Sequence, residues 1–139
     1  MTSRTDGLEG VVAGTSAISS IDGLAGKLTY RGIDIGELAS NATFEEVTHL
    51  LWHDELPTQS QLDALLNELS AAYALPPAVI AALRAIPPTT PPMDALRTGV
   101  SMLAAFDPDL GDNSVEGSAR KSVRLLAQIP AVVATFARL

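Results

Sequence analysis

The chain has 139 residues, a net charge of −7, 47% hydrophobic and 4% aromatic residues, and no cysteine. This length allows one domain with a buried core, and the hydrophobic fraction is too high for a disordered chain. The absence of cysteine excludes disulfides and thiolate chemistry, and the acidic balance argues against nucleic-acid binding, which needs a basic surface.

Two stretches bear on localisation. The first six residues are polar and lead into no apolar signal core. The longest apolar stretch, 125–139, is shorter than the roughly 20 residues that a membrane-spanning helix needs, and it contains Gln128 and Pro130. We therefore expect a soluble, cytoplasmic protein that has no membrane partner.

A small two-stranded β-hairpin is predicted in region 10–32. Residues 11–21 are rich in Val, Ile, Thr and Ser, and 27–30 form a short partner strand, with Gly23 and Gly26 in the loop. Because an isolated hairpin is only marginally stable in water, it must lie on a larger body. Residues 34–39 predict one short helical turn.

Three helices joined by short loops are predicted over 43–86. The first starts at a capping box formed by Thr43 and Glu46, the second repeats that signal from Thr58, and the third opens at Pro76-Pro77. The apolar stripes predicted to face inward are Phe44, Val47, Leu50 and Leu51, then Leu62, Leu65, Leu66 and Leu69, then Val79, Ile80 and Leu83.

Two further helices are predicted in region 93–139, after the proline-rich connector 87–92, which cannot continue a helix. The fourth helix runs from about Met93 to Phe106, and an acidic loop at 107–113 ends it. The last helix starts near Ser114 and continues to the terminus. The fold class is therefore mainly α, a helical array with a small N-terminal β-hairpin, in a single partial domain over 1–139.

The last helix is apolar on nearly every face from Leu125 onward. A helix of this kind has to be buried on all sides, and four modest helices and a hairpin can cover only one or two of them. Leaving about 400 Å² exposed would forgo on the order of 10 kcal/mol, at roughly 25 cal/mol per Å². We therefore expect a partner to cover this surface.

The two histidines suggest a possible metal site. His49 and His53 are four residues apart on one predicted helix, and Glu45 lies one turn earlier, so the three side chains could ligate a metal. The alternative is an ordinary solvated helix face opposite the apolar stripe. With no further ligand elsewhere in the chain, the sequence favours the solvated face.

Ser19, His49 and Asp22 have the residue types of a Ser/His/Asp catalytic triad. No nucleophile-elbow motif supports this arrangement, and nothing in the sequence fixes its geometry. The glycines between positions 7 and 32 spell neither a Walker motif nor a dinucleotide-binding motif, so we assign them to turns and bulges.

The remaining charged candidates each have two interpretations. Arg31 and Arg97 could bind anionic substrates, although holding helix ends or carboxylates inside the fold is favoured. The aspartates of the acidic loop are most simply solvated, although together they could bind a cation weakly. These loop residues are Asp107, Asp109 and Asp112.

Several short motifs, in this order and spacing, resemble the N-terminal part of the large domain of bacterial citrate synthases and 2-methylcitrate synthases. The resemblance runs from about Leu8 to Leu139. The motifs lie at 10–11, 18–23, 26–32, 42–46, 50–53, 56–57, 92–98 and 127–130. One departure is Pro91, which stands where many relatives have histidine, so no role of that histidine is carried over.

The resemblance implies an acyltransferase that condenses acetyl-CoA with oxaloacetate to citrate and CoA in the tricarboxylic acid cycle. In such enzymes an aspartate and a histidine act as the acid–base pair, and these residues and the substrate-binding segments lie in the later two-thirds of the chain. No position here matches them. We therefore assign no catalytic, substrate-binding or metal-binding residue, expect no cofactor in this chain, and expect no activity of the chain alone.

The resemblance also implies a homodimer. The helices from about Met93 to Phe106 and from Ser118 to Leu139 match part of the helical interface between subunits, and obligate interfaces are apolar. Two alternatives remain open. The chain could be a short paralogue that acts as an oligomerisation or regulatory subunit, or a small helical protein that binds metal through His49 and His53. The sequence does not distinguish citrate synthesis from 2-methylcitrate synthesis.

Overall fold

The computed structural model describes residues 14–139, which belong to two compact units. The first unit ends at Leu62 and the second begins at Asp63. Over the described range the regular structure consists of six α-helices and a three-stranded antiparallel sheet, which confirms the mainly α fold. That both units form one domain stays a prediction, and the predicted strand residues 11–13 lie outside the described range.

The sheet belongs to the first unit and contains strands β1 (Ser19–Asp22), β2 (Lys27–Tyr30) and β3 (Ile33–Asp34) in that order. The predicted pairing of the first two strands is confirmed, with Ser19 opposite Tyr30. The prediction of only two strands was wrong, and residues 14–18 are not in a strand.

The third strand follows from the Arg31-Gly32 turn. Both residues have positive φ, 49° and 82°, as the central residues of a type I′ hairpin turn do. This turn matches the right-handed twist of the flanking strands and returns the chain antiparallel, so that Tyr30 lies opposite Ile33. The tripeptide Tyr30-Arg31-Gly32 is therefore a strand end followed by a tight turn.

Two helices complete the first unit. Helix α1 (Ile35–Asn41) is longer than the predicted single turn, and the Asp34 side chain caps it by accepting a hydrogen bond from the Gly36 N–H at 2.8 Å. Helix α2 (Phe44–His53) begins at the predicted capping box. The Glu46 N–H donates to Thr43 Oγ1 at 3.2 Å and the Thr43 N–H donates to Glu46 Oε2 at 2.7 Å.

The buried face of α2 differs from the predicted stripe. Leu50 is buried as expected, but Thr48 and His49 are buried as well, whereas Phe44 is 64% exposed. The two polar side chains can be buried because each has a backbone carbonyl as hydrogen-bond partner, at Phe44 for Thr48 and at Glu55 for His49. Periodicity alone could not reveal these partners.

Helix α3 (Gln59–Ala72) starts at the second predicted cap, where the Thr58 N–H donates to Gln61 Oε1 at 2.8 Å. Helices α4 (Pro77–Ala85) and α5 (Pro92–Leu103) both begin at proline, whose missing N–H costs nothing in a first turn. A short 3₁₀ turn, Ala104–Phe106, extends α5 to the predicted end.

The core of the second unit lies where α4, α5 and the last helix meet. Helix α6 (Val115–Phe136) begins after Ser114, whose Oγ accepts from the Gly117 N–H at 3.0 Å. The buried core residues are Val79, Leu83, Leu103 and Val132. Gly99 of α5 lies against Leu83 and Val132, so the backbone of α5 comes close to both neighbouring helices.

The apolar stretch of α6 is covered on one side only. Ala127, Ala131 and Val132 are buried, while Leu125 and Val133 are 39% and 49% exposed. This matches the expectation of exposed apolar surface on the last helix. In the described part of the chain no single helix has the length and apolarity to cross a membrane; α3 and α4, bent by 63°, pass that test only as a pair.

Candidate functional site

Arg31 has an internal structural role in the first unit. Its Nη2 donates to the backbone carbonyl of Leu51 at 3.0 Å and pairs with Asp54 Oδ1 at 2.6 Å. Its side chain is 17% exposed, and its Nε is buried without a hydrogen-bond partner. Arg31 thus holds the C-terminal end of α2, where a cation is favoured by the helix dipole. This agrees with the internal role that the sequence favoured.

Asp54 ends α2 in a backbone conformation that suits glycine. Its φ is +69° and its N–H donates to the Leu50 carbonyl at 2.9 Å. A left-handed residue costs roughly 1–2 kcal/mol for most side chains and less for aspartate. The carboxylate of Asp54 is 70% exposed, so its ion pair with Arg31 contributes little.

This geometry predicts opposite outcomes for two substitutions that both remove the ion pair. Asp54→Ala should lower the free energy of unfolding by about 1–2 kcal/mol, because alanine is strained at positive φ. Asp54→Gly should stay within about 0.5 kcal/mol of the parent, because glycine relieves that strain. Urea unfolding followed by the fluorescence of Trp52, the only tryptophan, measures both. An equal loss in both variants would show that the ion pair dominates instead.

The histidines do not form a metal site with Glu45. His49 is 6% exposed, and its Nδ1 donates to the Glu55 carbonyl at 2.9 Å. His53 is exposed, with its ring centroid 4.4 Å from that of His49. Between residues 14 and 139, no group of three or more His, Asp or Glu side chains is arranged to hold a metal. The prediction of a solvated face was wrong for His49.

The suggested nucleophilic arrangement is not brought together. Ser19 and Asp22 are both exposed on β1, and Asp22 Oδ1 accepts hydrogen bonds from the N–H groups of Leu24 and Ala25 at 3.1 and 2.9 Å. Asp22 therefore shapes the hairpin loop. The His49 ring is buried and its hydrogen bond goes to the Glu55 carbonyl, and neither Ser19 nor Asp22 is among its hydrogen-bond partners in the described structure.

The acidic loop carries the most connected polar cluster in the second unit. Three aspartates meet two arginines from the first turns of α6, as a small ion-pair network. Its members are Asp107, Asp109, Asp112, Arg120 and Arg124. The prediction that these aspartates are solvated was wrong, because Asp107 and Asp109 have side chains only 14% and 18% exposed.

Each arginine of the network binds two carboxylates. Arg124 donates to Asp107 through Nε at 3.0 Å and Nη2 at 2.7 Å, and its Nη2 also reaches Asp109 at 2.6 Å. Arg120 donates to Asp109 through Nε at 3.1 Å and Nη2 at 2.7 Å, and to Asp112 at 3.0 Å. The network fixes the loop on α6 and leaves these carboxylates paired with cations rather than open to a metal.

The network also sets the charge state of the loop. The hydrogen bond from Arg124 lowers the pKa of Asp107, and hydrogen bonds from Arg120 and Arg124 hold the pKa of Asp109 far below its ordinary range. The hydrogen bonds with Ser114 lower the pKa of Asp112. Because all three carboxylates stay ionised at neutral pH, they have no capacity for general acid catalysis there.

Arg97, the second arginine that was considered for binding anionic substrates, is exposed. Arg97 pairs with Asp94 at 3.1 Å, three residues earlier on α5, with a side chain that is 80% exposed. A single exposed pair of this kind contributes little and forms no enclosed anion site. The sequence missed Arg120 and Arg124 as loop anchors, although their spacing of four on one helix face opposite an acidic loop was a usable signal.

The second unit contains an apolar groove. It has a volume of about 420 Å³ and lies between the end of α4, the proline connector, the start of α5 and the end of α6. Most of its lining side chains are apolar, among them Ile86, Leu96 and Phe136, and Arg84 lies at one side. Met93 and Leu139, which also line it, are 72% and 52% exposed.

The comparisons with known proteins agree with one another. The family model described as "Citrate synthase, C-terminal domain" matches residues 7–139. The chain is 42% identical over 136 residues to citrate synthase 2 of Bacillus subtilis, covering 97% of this chain and 36% of that relative. It is 40% identical over 132 residues to 2-methylcitrate synthase of Shewanella oneidensis, covering 95% and 34%.

The fold comparison gives the same result. The crystal structure of citrate synthase from Thermotoga maritima matches with a TM-score of 0.80 and 31% identity, over 95% of this chain and 34% of that one. The chain thus spans about a third of the length of the relatives that it matches. Because the family model covers nearly all of the sequence, the chain belongs to the citrate synthase family.

Proposed function

We propose that this chain supplies the N-terminal portion of a cytoplasmic enzyme that condenses acetyl-CoA with oxaloacetate to citrate and CoA, and that it has no turnover by itself. The observation that carries the proposal is a match over 95% of this chain to only 34% of a solved citrate synthase. Its position at the N-terminal end is part of the proposal, and the order of the motifs from the Ile18 stretch to the Pro92 stretch supports it.

The polar side chains of the described residues support inactivity of the chain alone. Condensation requires a base that removes a proton from the methyl group of the thioester and an electrophilic group that stabilises the resulting enol. His49 is buried and hydrogen-bonded to a carbonyl, and the aspartates of the acidic loop are paired with arginines. His49 and these aspartates are not among the residues that line the apolar groove of the second unit. The catalytic groups would come from the other two-thirds of the family's chain.

Propionyl-CoA is the alternative to acetyl-CoA as the acyl substrate of the complete enzyme. The matched relatives include proteins named citrate synthase and proteins named 2-methylcitrate synthase, for example at 42% and 40% identity. This similarity to both does not discriminate acetyl-CoA from propionyl-CoA. Oxaloacetate and acetyl-CoA remain the substrate pair that we propose, with propionyl-CoA as the alternative acyl donor, and acetyl-CoA acts as a substrate rather than a bound cofactor.

Turnover by the purified chain tests the first half of the proposal. Release of CoA from acetyl-CoA in the presence of oxaloacetate should stay at the level of the uncatalysed background, because the chain contributes no acid–base pair. Citrate synthase 2 of Bacillus subtilis, assayed in parallel, serves as the positive control. Saturable turnover by the 139-residue chain, at rates within about a hundredfold of that enzyme, would contradict the proposal.

A fused chain tests the second half. We expect citrate formation when residues 1–139 are joined to the part of Bacillus subtilis citrate synthase 2 that follows its matched third. The matched control is the same fusion with the first 139 residues in scrambled order, which should be inactive. A folded but inactive fusion would argue that this chain has another role, such as that of a regulatory or oligomerisation subunit.

We also propose that the chain forms a homodimer through the last two helices, from about Met93 to Phe106 and from Ser118 to Leu139. The exposed apolar side chains of α6 support this, since Leu125 lies 39% open to solvent on a helix whose other side is the core. Apolar surface of this kind is typical of obligate interfaces. The resemblance to the family points to the same helices.

Light scattering over a range of concentrations tests the dimer. The mass should approach twice 14.5 kDa as the concentration rises, and Leu125→Asp should shift the equilibrium toward the monomer, because a charge would be buried in the interface. Val115→Asp, on the exposed first turn of α6, is the matched control and should leave the mass unchanged. A compact monomer at every concentration would contradict this proposal.

A metal-binding function has less support than the enzyme portion. The His49 Nδ1 already donates to a carbonyl, and only one more histidine lies nearby. A zinc titration that compares the parent with the His49→Ala, His53→Ala double variant discriminates the two functions. Stoichiometric zinc binding that the double variant loses would favour a metal-binding protein.

A further inference from the structure

We infer that His49 and His53 of α2 form a two-histidine chelate for a divalent ion that favours right-angled coordination, Cu²⁺ or Ni²⁺. This site differs from the zinc site considered above, because it uses no carboxylate of Glu45. No group of three His, Asp or Glu side chains converges in residues 14–139, so water would complete the coordination. The site is separate from the proposed function, in which neither histidine takes part.

A hydrogen bond determines which nitrogen of His49 can bind a metal. Nδ1 lies 2.9 Å from the carbonyl oxygen of Glu55. Because a carbonyl only accepts, Nδ1 carries the hydrogen, and in the neutral ring the lone pair is on Nε2. Histidines that bind metals typically donate their other ring N–H to a carbonyl or a carboxylate, which orients the ring. The fold therefore already supplies the orienting contact that such a ligand needs.

The Nε2 atom of His49 is on the exposed edge of a largely covered ring. The residue as a whole is 6% exposed. Across residues 14–139, Arg31 Nε is the one buried side-chain nitrogen or oxygen that lacks a hydrogen-bond partner. In the described structure the hydrogen bond of the His49 ring is made by Nδ1, so Nε2 belongs to the part of the ring that solvent reaches.

The separation of the two rings fits a right angle at the ion. His53 is exposed one helical turn after His49, and the ring centroids are 4.4 Å apart. With metal–nitrogen bonds of about 2.0 Å, each centroid would lie about 3.2 Å from a shared ion. A spacing of 4.4 Å then corresponds to an angle of about 90° between the two bonds, which is the angle that Cu²⁺ and Ni²⁺ favour. A tetrahedral zinc ion would need the centroids about 5.2 Å apart.

The end of α2 has charges that both favour and oppose a bound cation. Both histidines lie in the last two turns of the helix, where the helix dipole is negative, and the 70% exposed carboxylate of Asp54 follows directly. Arg31 pairs with Asp54 at 2.6 Å and already brings one positive charge to this end. We therefore expect a moderate affinity, which depends on both histidine ligands.

Titration of the purified 139-residue chain with Cu²⁺ tests the site. Quenching of the fluorescence of Trp52, the only tryptophan and the neighbour of His53, should show one ion per chain. His53→Ala should weaken binding at least about tenfold, because a second ligand on the same helix acts at high effective concentration. Glu45→Gln is the matched control and should change the affinity less than about twofold, because Glu45 is not a ligand in this site.

Two further measurements examine the ligands and the angle. The electron paramagnetic resonance spectrum of bound Cu²⁺ should show two imidazole nitrogens in the parent and one in His53→Ala. Ni²⁺ should bind the parent more tightly than Zn²⁺, because the right angle suits Ni²⁺ and not a tetrahedral ion. His53 is exposed, so the variant should keep the fold, and circular dichroism checks this.

The unfolding temperature gives an independent readout. Cu²⁺ should raise the unfolding temperature of the parent but not that of His53→Ala, because two ligands one turn apart meet only while α2 is folded. Three results would overturn the inference: a single nitrogen ligand in the parent, binding by His53→Ala within about twofold of the parent, or tighter binding of Zn²⁺ than of Ni²⁺. None of these readouts depends on turnover, so the site and the proposed function can fail separately.

Discussion

Arg124→Met is expected to destabilise the second unit by about 2 kcal/mol, mostly through the loss of the Arg124–Asp107 pair. Arg124 donates two hydrogen bonds to Asp107, at 3.0 and 2.7 Å, in the bidentate geometry that is strongest for arginine and a carboxylate. Methionine keeps most of the length and apolar contact of the arginine stem, so the substitution mainly removes the charge. The Asp107 carboxylate, 14% exposed, is then left without its cation.

The pH dependence of unfolding separates this electrostatic effect from a packing defect. Because Arg124 lowers the pKa of Asp107 in the folded state, the unfolded chain binds more protons, and stability rises with pH. In the parent, the contribution is complete above the ordinary carboxyl range, near pH 4, and is lost as the pH falls through the lower folded pKa. In Arg124→Met this acid loss should be much smaller, whereas a packing defect would lower stability equally at every pH.

Urea unfolding followed by far-ultraviolet circular dichroism, from pH 2.5 to pH 7, measures the effect. The matched control is Arg120→Met, which removes the neighbouring guanidinium; its side chain is 51% exposed, so its effect should be smaller. Equal stability of Arg124→Met and the parent at pH 7 would show that the ion-pair network does not contribute to the free energy of unfolding. A pH-independent loss would assign the effect to packing.

Local signals along the sequence predicted most element boundaries. The capping boxes at Thr43 and Thr58 and the prolines ahead of α4 and α5 each fix the start of a helix through one or two backbone groups. Such signals act within three or four residues, so they can be read without the fold. The same holds for the start of α6 at Ser114, where a side chain caps its own helix.

Features that depend on partners distant in sequence were not predictable in this way. The burial of His49 depends on the carbonyl of Glu55, beyond the end of its helix. The pairing of the acidic loop depends on arginines 8 to 17 residues away. In each case the sequence gives the chemistry of one partner, and only the fold shows whether the second partner lies within reach.

For the candidate site, too, the sequence predicted some features and the structure alone showed others. The resemblance predicted that no catalytic residue lies in this chain, and that assignment stays a prediction. The physical argument from an all-round apolar helix predicted uncovered surface on α6, and the structure shows that surface at Leu125 and Val133. What the periodicity could not provide was the groove, which needs α4, the connector and α5 to be placed beside the end of α6.

Gly99→Val is expected to have the largest effect of any single substitution considered for the second unit, a loss of about 3 kcal/mol. A Cβ atom at position 99 would lie 2.7 Å from Cγ1 of Val132 and 3.3 Å from Cδ2 of Leu83, which is closer than van der Waals contact allows. Val132 and Leu83 are 0% and 1% exposed, so neither side chain can move into solvent. Valine adds two further methyl groups to this contact and forces α5 away from α6.

Two control substitutions isolate the close approach of the helices. Gly99→Ala adds only the Cβ, and its gain of roughly 1 kcal/mol in helix propensity offsets part of the clash, so a loss of about 1 kcal/mol is expected. Gly111→Val introduces the same side chain in the same unit at a position with open space around it, and should change stability by less than about 0.5 kcal/mol.

Removal of the Val132 methyl groups should relieve the clash. In a double-mutant cycle, Val132→Ala alone leaves a cavity, whereas Gly99→Ala in the Val132→Ala background fills part of that space, so the two losses should not add. We expect a coupling of about 1 kcal/mol or more, measured by urea unfolding followed by circular dichroism. Strict additivity, or a Gly99→Val protein as stable as the parent, would mean that α5 can shift freely along α6.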